Sequence, residues 1–288
     1  MLIRPLPLLN FFVAIVMFSI GLRVTTGDLY NILRARSLLI RTLVANCLLV
    51  PAIGFVLIRI FPLTPDASIG IMLLAAIPGT PISLQFTRMA KARLAFAAAV
   101  IFVLSLVSVA MTPLIIETMP HTLQRSAKPV SALLATLALY IFLPLCAGLW
   151  LARRVPKVAH RMVLPLGVLA SVAFVLLMWE TRPMRREALD IMRGNGTILA
   201  MVLLLLLSML IGWLIGGADR DTRRILTTST GMRSVIVVWY IATYCFPGTQ
   251  VFMIPLIYLS FMVPANLLFH LLFIARRKLQ PAQGRAAA

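Results

Sequence analysis

The stretch ILTTSTGMRSVIVVWY, residues Ile225 to Tyr240, contains one arginine inside an otherwise apolar segment. Four hydroxyl residues and a glycine come shortly before Arg233, and apolar residues follow it. A permanent cation next to a helix breaker is typical of a transmembrane helix that is interrupted where it lines a cavity or contacts other protein. The stretch therefore predicts a broken transmembrane helix.

The composition indicates a polytopic helical membrane protein. Of 288 residues, 61% are hydrophobic and 12% are charged, whereas about a quarter of the residues are charged in average soluble proteins. A spanning helix needs about 20 mostly apolar residues, and runs such as AMVLLLLLSMLIGWLIGG lack the alternation of barrel strands. The predicted fold class is all-α with nine transmembrane helices. The predicted spans are residues 5–25, 37–61, 67–88, 92–117, 130–152, 160–180, 197–217, 221–246 and 250–274.

The net charge of +19 does not indicate a nucleic-acid partner, because the basic residues follow a membrane topology. With nine spans, the loops on one side hold more than twice as many Lys and Arg residues as the loops on the other side. The positive-inside rule then predicts a multi-pass protein of the cell membrane, the inner membrane in a bacterium. The N-terminus is predicted outside and the C-terminus in the cytoplasm, where residues 279–288 form a disordered tail.

Two spans contain helix breakers in a polar setting. Span 67–88 contains Pro78, Gly79 and Pro81, and span 221–246 contains the hydroxyl residues and the glycine of Thr227–Gly231 at its middle. Broken helices at membrane depth are tolerated only where they face protein or a watery cavity. The alternative is that Pro and Gly, which are common in membrane helices, merely kink these two spans.

The positions of the two broken spans predict an inverted repeat, with the broken helices crossing at a midplane site. The first repeat would comprise residues 1–128, with four helices, and the second residues 129–278, with five. In each repeat the broken span would then be the fourth helix of a five-helix plan, because the first repeat has lost one helix.

Arg233 is predicted to lie near the membrane centre, about 14 Å beyond Arg224 and about 21 Å before Pro247 in a helix. No carboxylate falls in the middle of a span, so the guanidinium should face a water-filled cavity or backbone carbonyls. Two interpretations stay open. Arg233 is an anion-binding fork in a cavity that Tyr240 and Tyr244 line, or it is a structural arginine that caps carbonyls of the opposite broken helix.

Four segments make the chain resemble the bile acid:sodium symporter family of the bile/arsenite/riboflavin transporter group. They are MFSIGLRVTTGDLYNILR (Met17–Arg34), VANCLLVPAI (Val44–Ile53), AAIPGTPISLQFTRMAKARLA (Ala75–Ala95) and LTTSTGMRSVIV (Leu226–Val237). The resemblance implies a core domain, in which the broken helices cross, and a panel domain that rocks against it. Spans one, five and six would form the panel. Family members typically carry organic anions together with two sodium ions.

The resemblance also implies that the sodium sites have changed. The family's sodium-binding glutamate and glutamine fall on Ser229 and Arg233, and a glutamine of the second span falls on Asn46. Hard cations need several oxygen ligands, and an arginine beside them would repel sodium. No metal site and no cofactor are therefore expected. The degenerate sodium-site positions are Ser83, Leu84, Ala97, Ile101, Ser229 and Arg233.

The candidate substrate-binding residues surround the two breaks. One glutamate with two sodium ions leaves the same net charge as a lone arginine, so Arg233 is expected to replace the ions. The candidates are Arg233, Ser234, Thr230, Ser229, Thr80, Pro81, Ser83, Gln85, Asn46 and Asn266.

The predicted function is sodium-independent transport of a small or amphipathic organic anion by alternating access. A sodium-coupled symporter of organic anions and a non-transporting, anion-binding membrane receptor are the alternatives. An enzyme is not expected, because Ser229 has no base within reach and His270 is placed near the membrane interface. The expected partners are the organic anion and the lipid bilayer, without nucleic acid, and a homodimer is one possible assembly.

Overall fold

The structure, a computed structural model, describes residues 7–79, 83, 97, 99–107, 135, 137–192 and 194–279. These residues form helices joined by short turns, and among them one isolated bridge is the only strand-like pairing. The all-α class is therefore confirmed. The helices are α1 (Pro7–Arg23), α2 (Thr26–Arg34), α3 (Arg36–Val44), α4 (Val50–Ile60), α5 (Pro65–Ala76), α6 (99–107), α7 (Leu143–Arg154), α8 (Pro156–Glu180), α9 (Arg182–Met192), α10 (Thr197–Ile215), α11 (Arg220–Gly231), α12 (Val235–Cys245) and α13 (Met253–Leu279).

Four helical stretches in the described part are long and apolar enough to cross a membrane. Three shorter apolar helices fall within other predicted spans, and two of these, α5 and α12, are halves of the broken ones. A multi-pass helical protein is thus supported, whereas nine helices and the inverted repeat stay predictions, because most of span 92–117 lies outside the described residues. The four long stretches are Arg36–Ile60, Pro156–Leu177, Thr197–Ile215 and Met253–Phe273.

Two helices contain a wider, π-helical turn just before a proline. The turn Ala45–Leu49 joins α3 to α4 ahead of Pro51, and the turn Ala138–Phe142 leads into α7 ahead of Pro144. Proline lacks an N–H group, and its ring crowds the carbonyl four residues earlier, so a wider turn relieves the conflict without ending the helix. The first of these turns places Asn46 in the interior.

Helix α1 packs along α7 and α8, and we refer to these three helices as the three-helix unit. Gly21 and Gly148 face each other where α1 crosses α7, and a Cβ on Gly21 would lie 2.8 Å from the backbone N of Leu149. The two backbones touch because neither glycine has a side chain. The rings of Phe12 and Phe174, 6.0 Å apart, extend the contact to α8. The unit comprises the spans that the resemblance assigns to the panel.

Helices α3–α5 and α10–α13 form the larger unit. Gly212 of α10 lies against α11, where a Cβ would be 2.7 Å from the Cα of Thr227. Gly70 of α5 lies equally close to Ile254 of α13. These close approaches hold α5 against α13 and α10 against α11.

Both broken spans are unwound inside the larger unit. Helix α11 ends and α12 begins on either side of residues 232–234, and α5 is followed by Ile77 in an extended conformation. Pro78 forms an antiparallel bridge with Arg233, and the N–H of Ser234 donates to the carbonyl of Ile77 at 3.1 Å. The two unwound segments therefore contact each other inside the larger unit.

The second broken span unwinds directly after Gly231, the helix breaker next to Arg233, and the hydroxyl residues before it stay helical. Thr228 Oγ1 donates to the carbonyl of Arg224 at 2.9 Å, and Ser229 Oγ donates to that of Leu226 at 3.3 Å. Hydroxyls that bond back to helix carbonyls are tolerated inside a helix. Helix α11 consequently continues to Gly231.

Candidate functional site

Arg233 is the centre of a buried network between the two unwound segments. It is 0% exposed and is the largest fully buried side chain in the described part of the chain. Its Nε donates to Leu74 O at 2.9 Å, and its Nη2 donates to Ala75 O. Its Nη1 donates to Asn46 Oδ1 at 2.8 Å and to Thr230 O at 3.4 Å. Four of the five N–H groups of the guanidinium are thus directed at acceptors.

The identity of the acceptors gives the electrostatic role of Arg233. Leu74 and Ala75 lie in the last turn of α5, and Thr230 lies in the last turn of α11. A helix C-terminus carries about −0.5 of an elementary charge, so the two helix ends together balance the single positive charge of the guanidinium. The structure therefore shows the capping interaction that the sequence left open. An anion that bound this fork directly would have to displace backbone carbonyls.

Asn46 connects the network to the second span. Its Nδ2 donates to Thr42 O at 2.9 Å and to Thr230 Oγ1 at 3.2 Å, while its Oδ1 accepts from Arg233. All of its bonding groups are engaged although the residue is fully buried. The side chain fixes the position of Arg233 relative to α11.

Ser234 differs from the other predicted hydroxyl residues of this segment. It is the N-cap of α12 and is 2% exposed, yet its Oγ makes no capping hydrogen bond and has no partner among the described residues. The hydroxyls of Ser229 and Thr230, in contrast, bond to Leu226 and Asn46. A helix N-terminus offers free N–H groups and partial positive charge, so Ser234 lies at the position best suited to an anion.

The other predicted residues are only partly brought together. Ser83, Ala97 and Ile101 are buried, and the last two carry no side-chain oxygen that could replace a lost sodium ligand. Asn266 is fully buried in α13, where its Nδ2 donates to Met262 O at 2.9 Å, and no hydrogen bond joins it to Arg233. The predicted positions that lie outside the described residues are Thr80, Pro81, Leu84 and Gln85.

Two polar residues of α13 were missed as members of this site. Tyr258 Oη donates to the carbonyl of Gly231 at 3.1 Å and so caps the end of α11. His270 is 2% exposed, and its Nε2 lies 2.9 Å from Thr228 Oγ1. A signal existed, because Tyr258, Asn266 and His270 recur at multiples of four residues along one broad side of the helix.

An aromatic contact joins the two units next to the site. The rings of Tyr240 and Tyr244 on α12 are stacked, with centroids 6.2 Å apart, and Tyr140 lies 5.5 Å from Tyr240. Tyr140 belongs to the π-helical turn that leads into α7. Since Tyr240 is 2% exposed, it is packed in this conformation and does not line an open cavity.

Within the part of the chain that the structure describes, no group of three or more His, Cys, Asp or Glu residues could hold a metal ion. The three cysteines, Cys47, Cys146 and Cys245, are free thiols.

Comparison with known proteins gives two matches. Residues 10–182 match the Sodium Bile acid symporter family, a region that includes Asn46 and ends before α11. A curated relative, the "Uncharacterized sodium-dependent transporter YocS" of Bacillus subtilis (strain 168), is 27% identical over 179 residues, which cover 58% of this chain and 54% of that protein. The chain thus spans about half the length of the curated relative it matches.

Proposed function

Because the chain belongs to the Sodium Bile acid symporter family, we propose that it carries a small or amphipathic organic anion across the membrane by alternating access, without sodium. The observation that carries this proposal is the position of Arg233, fully buried between the ends of α5 and α11. A cation is therefore already supplied by the protein itself where the two broken helices meet.

The residues at the degenerate sodium positions do not fit a sodium ion. Ser229 uses its hydroxyl for the carbonyl of Leu226, and Ala97 and Ile101 offer no side-chain oxygen. Arg233 places a positive charge among them and takes up the carbonyls of Leu74 and Ala75. A guanidinium and a sodium ion at this point would compete for the same negative helix ends.

The anion is proposed to bind at the start of α12 and not on the fork of Arg233. Ser234 contributes an unused hydroxyl there, and the first turn of α12 contributes N–H groups and partial positive charge. Arg233 balances the opposite helix ends, so an arriving anion does not meet their negative potential. In this scheme Arg233 acts through charge, and Ser234 contacts the substrate.

Alternating access is proposed to occur by movement of the three-helix unit against the larger unit. Most contacts of α1 are with α7 and α8, so these helices are suited to move together. Tyr140 and Tyr240 are the aromatic contact between the units. Separation of these two rings would open the start of α12 to one side of the membrane.

The test is uptake of radiolabelled taurocholate, an amphipathic organic anion, into proteoliposomes with sodium replaced by choline. We expect equal initial rates in the two salts for the native protein. Ser234→Ala should raise the half-saturating taurocholate concentration while leaving thermal stability unchanged. Strict dependence on sodium would refute the sodium-independent mechanism but leave the transport function standing.

A sodium-coupled symporter is the second candidate, favoured by the description of the relative as a sodium-dependent transporter. In that case sodium would use hydroxyls and backbone carbonyls around Thr230, and Arg233 would have to leave its present acceptors. Sodium should then raise the thermal stability of the purified protein in a concentration-dependent manner, whereas the sodium-independent carrier should respond equally to sodium and choline.

A receptor that binds the anion without transporting it shares the same site. It would show saturable taurocholate binding in detergent but no accumulation in proteoliposomes above protein-free liposomes. Parallel binding and flux measurements on one preparation therefore separate the receptor from the carrier.

A further inference from the structure

We propose that the turn between α10 and α11 binds the phosphate group of an anionic phospholipid. Two guanidinium groups from different elements converge on Gly217 in this turn. Arg223 Nε donates to Gly217 O, and Arg41 Nη1 lies 3.9 Å from where a Cβ on Gly217 would be. Arg41 bonds locally to Ser37 through Nε and Nη2, which leaves its Nη1 directed at the turn.

The charges around the turn do not cancel within the described residues. Asp221 lies 3.8 Å from Arg224, so that pair is neutral. Asp219 caps α11 by accepting from the N–H of Thr222 at 3.1 Å. Asp219 is the other carboxylate of this turn, whereas Arg41, Arg220 and Arg223 contribute three guanidinium groups. A bound phosphate would balance the excess, and guanidinium forks suit phosphate oxygens.

Exposed apolar stripes run from this turn along both neighbouring helices. On α10, Leu206, Leu210 and Leu214 are 52%, 51% and 68% exposed. α3 and the π-helical turn that follows it carry a second stripe, formed by Ile40, Val44 and Leu48, which are 59%, 43% and 64% exposed. Since α3 and α10 pack against each other, two acyl chains could lie along these stripes with the phosphate at Gly217.

The contact between Trp213 and Arg223 supports a position of the phosphate at the membrane interface. The guanidinium of Arg223 lies 5.2 Å from the centre of the Trp213 ring, and tryptophan is enriched at the level of lipid headgroups. Because the basic turn and the apolar stripes are continuous, the ligand must carry a charge at one end and apolar chains along its length. A free phosphate has no apolar chain. The proposed ligand is therefore an anionic phospholipid.

The experiment compares retention of phosphatidylglycerol and phosphatidylcholine, each with palmitoyl and oleoyl chains, by native mass spectrometry of the purified protein. Arg41→Gln should lower the preference for phosphatidylglycerol about fivefold, the effect expected for one basic residue near an anionic surface. Arg59→Gln is the matched control, because Arg59 is exposed at the other end of the same span. Its preference should equal that of the native protein.

Three results would overturn the lipid assignment. The first is an unchanged preference in Arg41→Gln. The second is an equal loss in Arg59→Gln, which would indicate general surface electrostatics. The third concerns the thermal stability of the protein. If inorganic phosphate alone raises it as much as phosphatidylglycerol does, and Arg41→Gln removes the effect, the turn is a site for free anions. None of these readouts depends on transport, so the lipid site can fail while the proposed function stands.

Discussion

At the residue scale, Arg233 is buried at a cost that its acceptors offset. An arginine at the centre of a membrane helix costs about 2.5–3.5 kcal/mol on insertion scales. Hydrogen bonds to a charged group contribute about 1.5–3 kcal/mol each. Arg233 bonds to the carbonyls of Leu74 and Ala75 and to the amide of Asn46. These bonds offset the cost, and without Arg233 the helix-end carbonyls at the meeting point would lose their donors.

We expect Arg233→Gln to lower the free energy of unfolding by about 3 kcal/mol, because helix-end carbonyls lose both their donors and the compensating charge. Arg233→Lys keeps the charge but not the planar fork and should lie between Gln and the native protein. Thermal unfolding in detergent measures both variants. Native-like stability of Arg233→Gln combined with loss of taurocholate binding would instead make Arg233 a direct substrate ligand.

A second residue-scale prediction concerns Tyr258, whose hydroxyl caps Gly231 O at 3.1 Å. Tyr258→Phe should lower the free energy of unfolding by about 1 kcal/mol, because a buried carbonyl loses its donor. Tyr140→Phe is the control, since no hydrogen bond of the Tyr140 hydroxyl occurs among the described residues. Equal unfolding midpoints for the two variants would show that the Tyr258 hydroxyl does not stabilise α11.

The sequence predicted that Arg233 would be buried and offered backbone carbonyls as one of its two possible contacts, but it did not identify which carbonyls. Arg233 stands out because no carboxylate shares the membrane interior with it. Its acceptors are backbone carbonyls of Leu74 and Ala75, and every residue has such a carbonyl, so no sequence pattern marks them. Tyr258 was missed for a related reason, because a tyrosine in an apolar span is usually interpreted as a residue that packs against its neighbours and not as a hydrogen-bond donor.

At the element scale, the starts of α5 and α11 carry clear sequence signals, whereas the end of α11 also depends on residues from elsewhere in the fold. Helix α5 begins after Thr64, whose side chain accepts from the N–H of Ala67 at 3.3 Å, and α11 begins after the capping residue Asp219. Such N-caps are readable in the sequence. The end of α11 depends instead on Tyr258 and Arg233, which reach it from elsewhere in the fold.

The close crossing of α1 and α7 gives an element-scale prediction. A Cβ on Gly148 would lie 3.0 Å from the backbone N of Leu22 and still closer to the carbonyl of Phe18. Gly148→Ala should therefore lower the free energy of unfolding by about 1–3 kcal/mol through overpacking. Gly167→Ala in α8 is the matched control, because its nearest neighbour is the flexible end of Arg23 at 3.3 Å. If both variants unfold like the native protein, the backbone contact is not tight.

At the scale of the whole molecule, the described helices divide into two groups that meet through few aromatic side chains. Phe12 and Phe174 lie within the three-helix unit, with ring centres 6.0 Å apart. Tyr140 and Tyr240 lie at a similar distance, 5.5 Å, but on different units. The sequence placed these helices in separate domains only through the family resemblance, because hydropathy does not reveal which spans pack together.

These two aromatic pairs allow a matched test of rocking. In a background where Cys47, Cys146 and Cys245 are replaced by Ala, Tyr140→Cys with Tyr240→Cys should be linked by a short bifunctional thiol reagent. If the units must separate during transport, linkage should reduce taurocholate uptake at least about tenfold, and reduction of a cleavable linker should restore it, because a covalent link prevents the movement that opens the site.

The control is the pair Phe12→Cys with Phe174→Cys, which links helices within the three-helix unit and should leave the uptake rate of that variant unchanged. Equal inhibition by both links would mean that α1 and α8 also move relative to each other, and the three-helix unit would then not be rigid. Undiminished uptake with Tyr140 and Tyr240 positions fully linked would exclude separation of the units at this contact. Substrate would then have to reach Ser234 by a path within the larger unit. The link between positions 140 and 240 is therefore more informative than the control link.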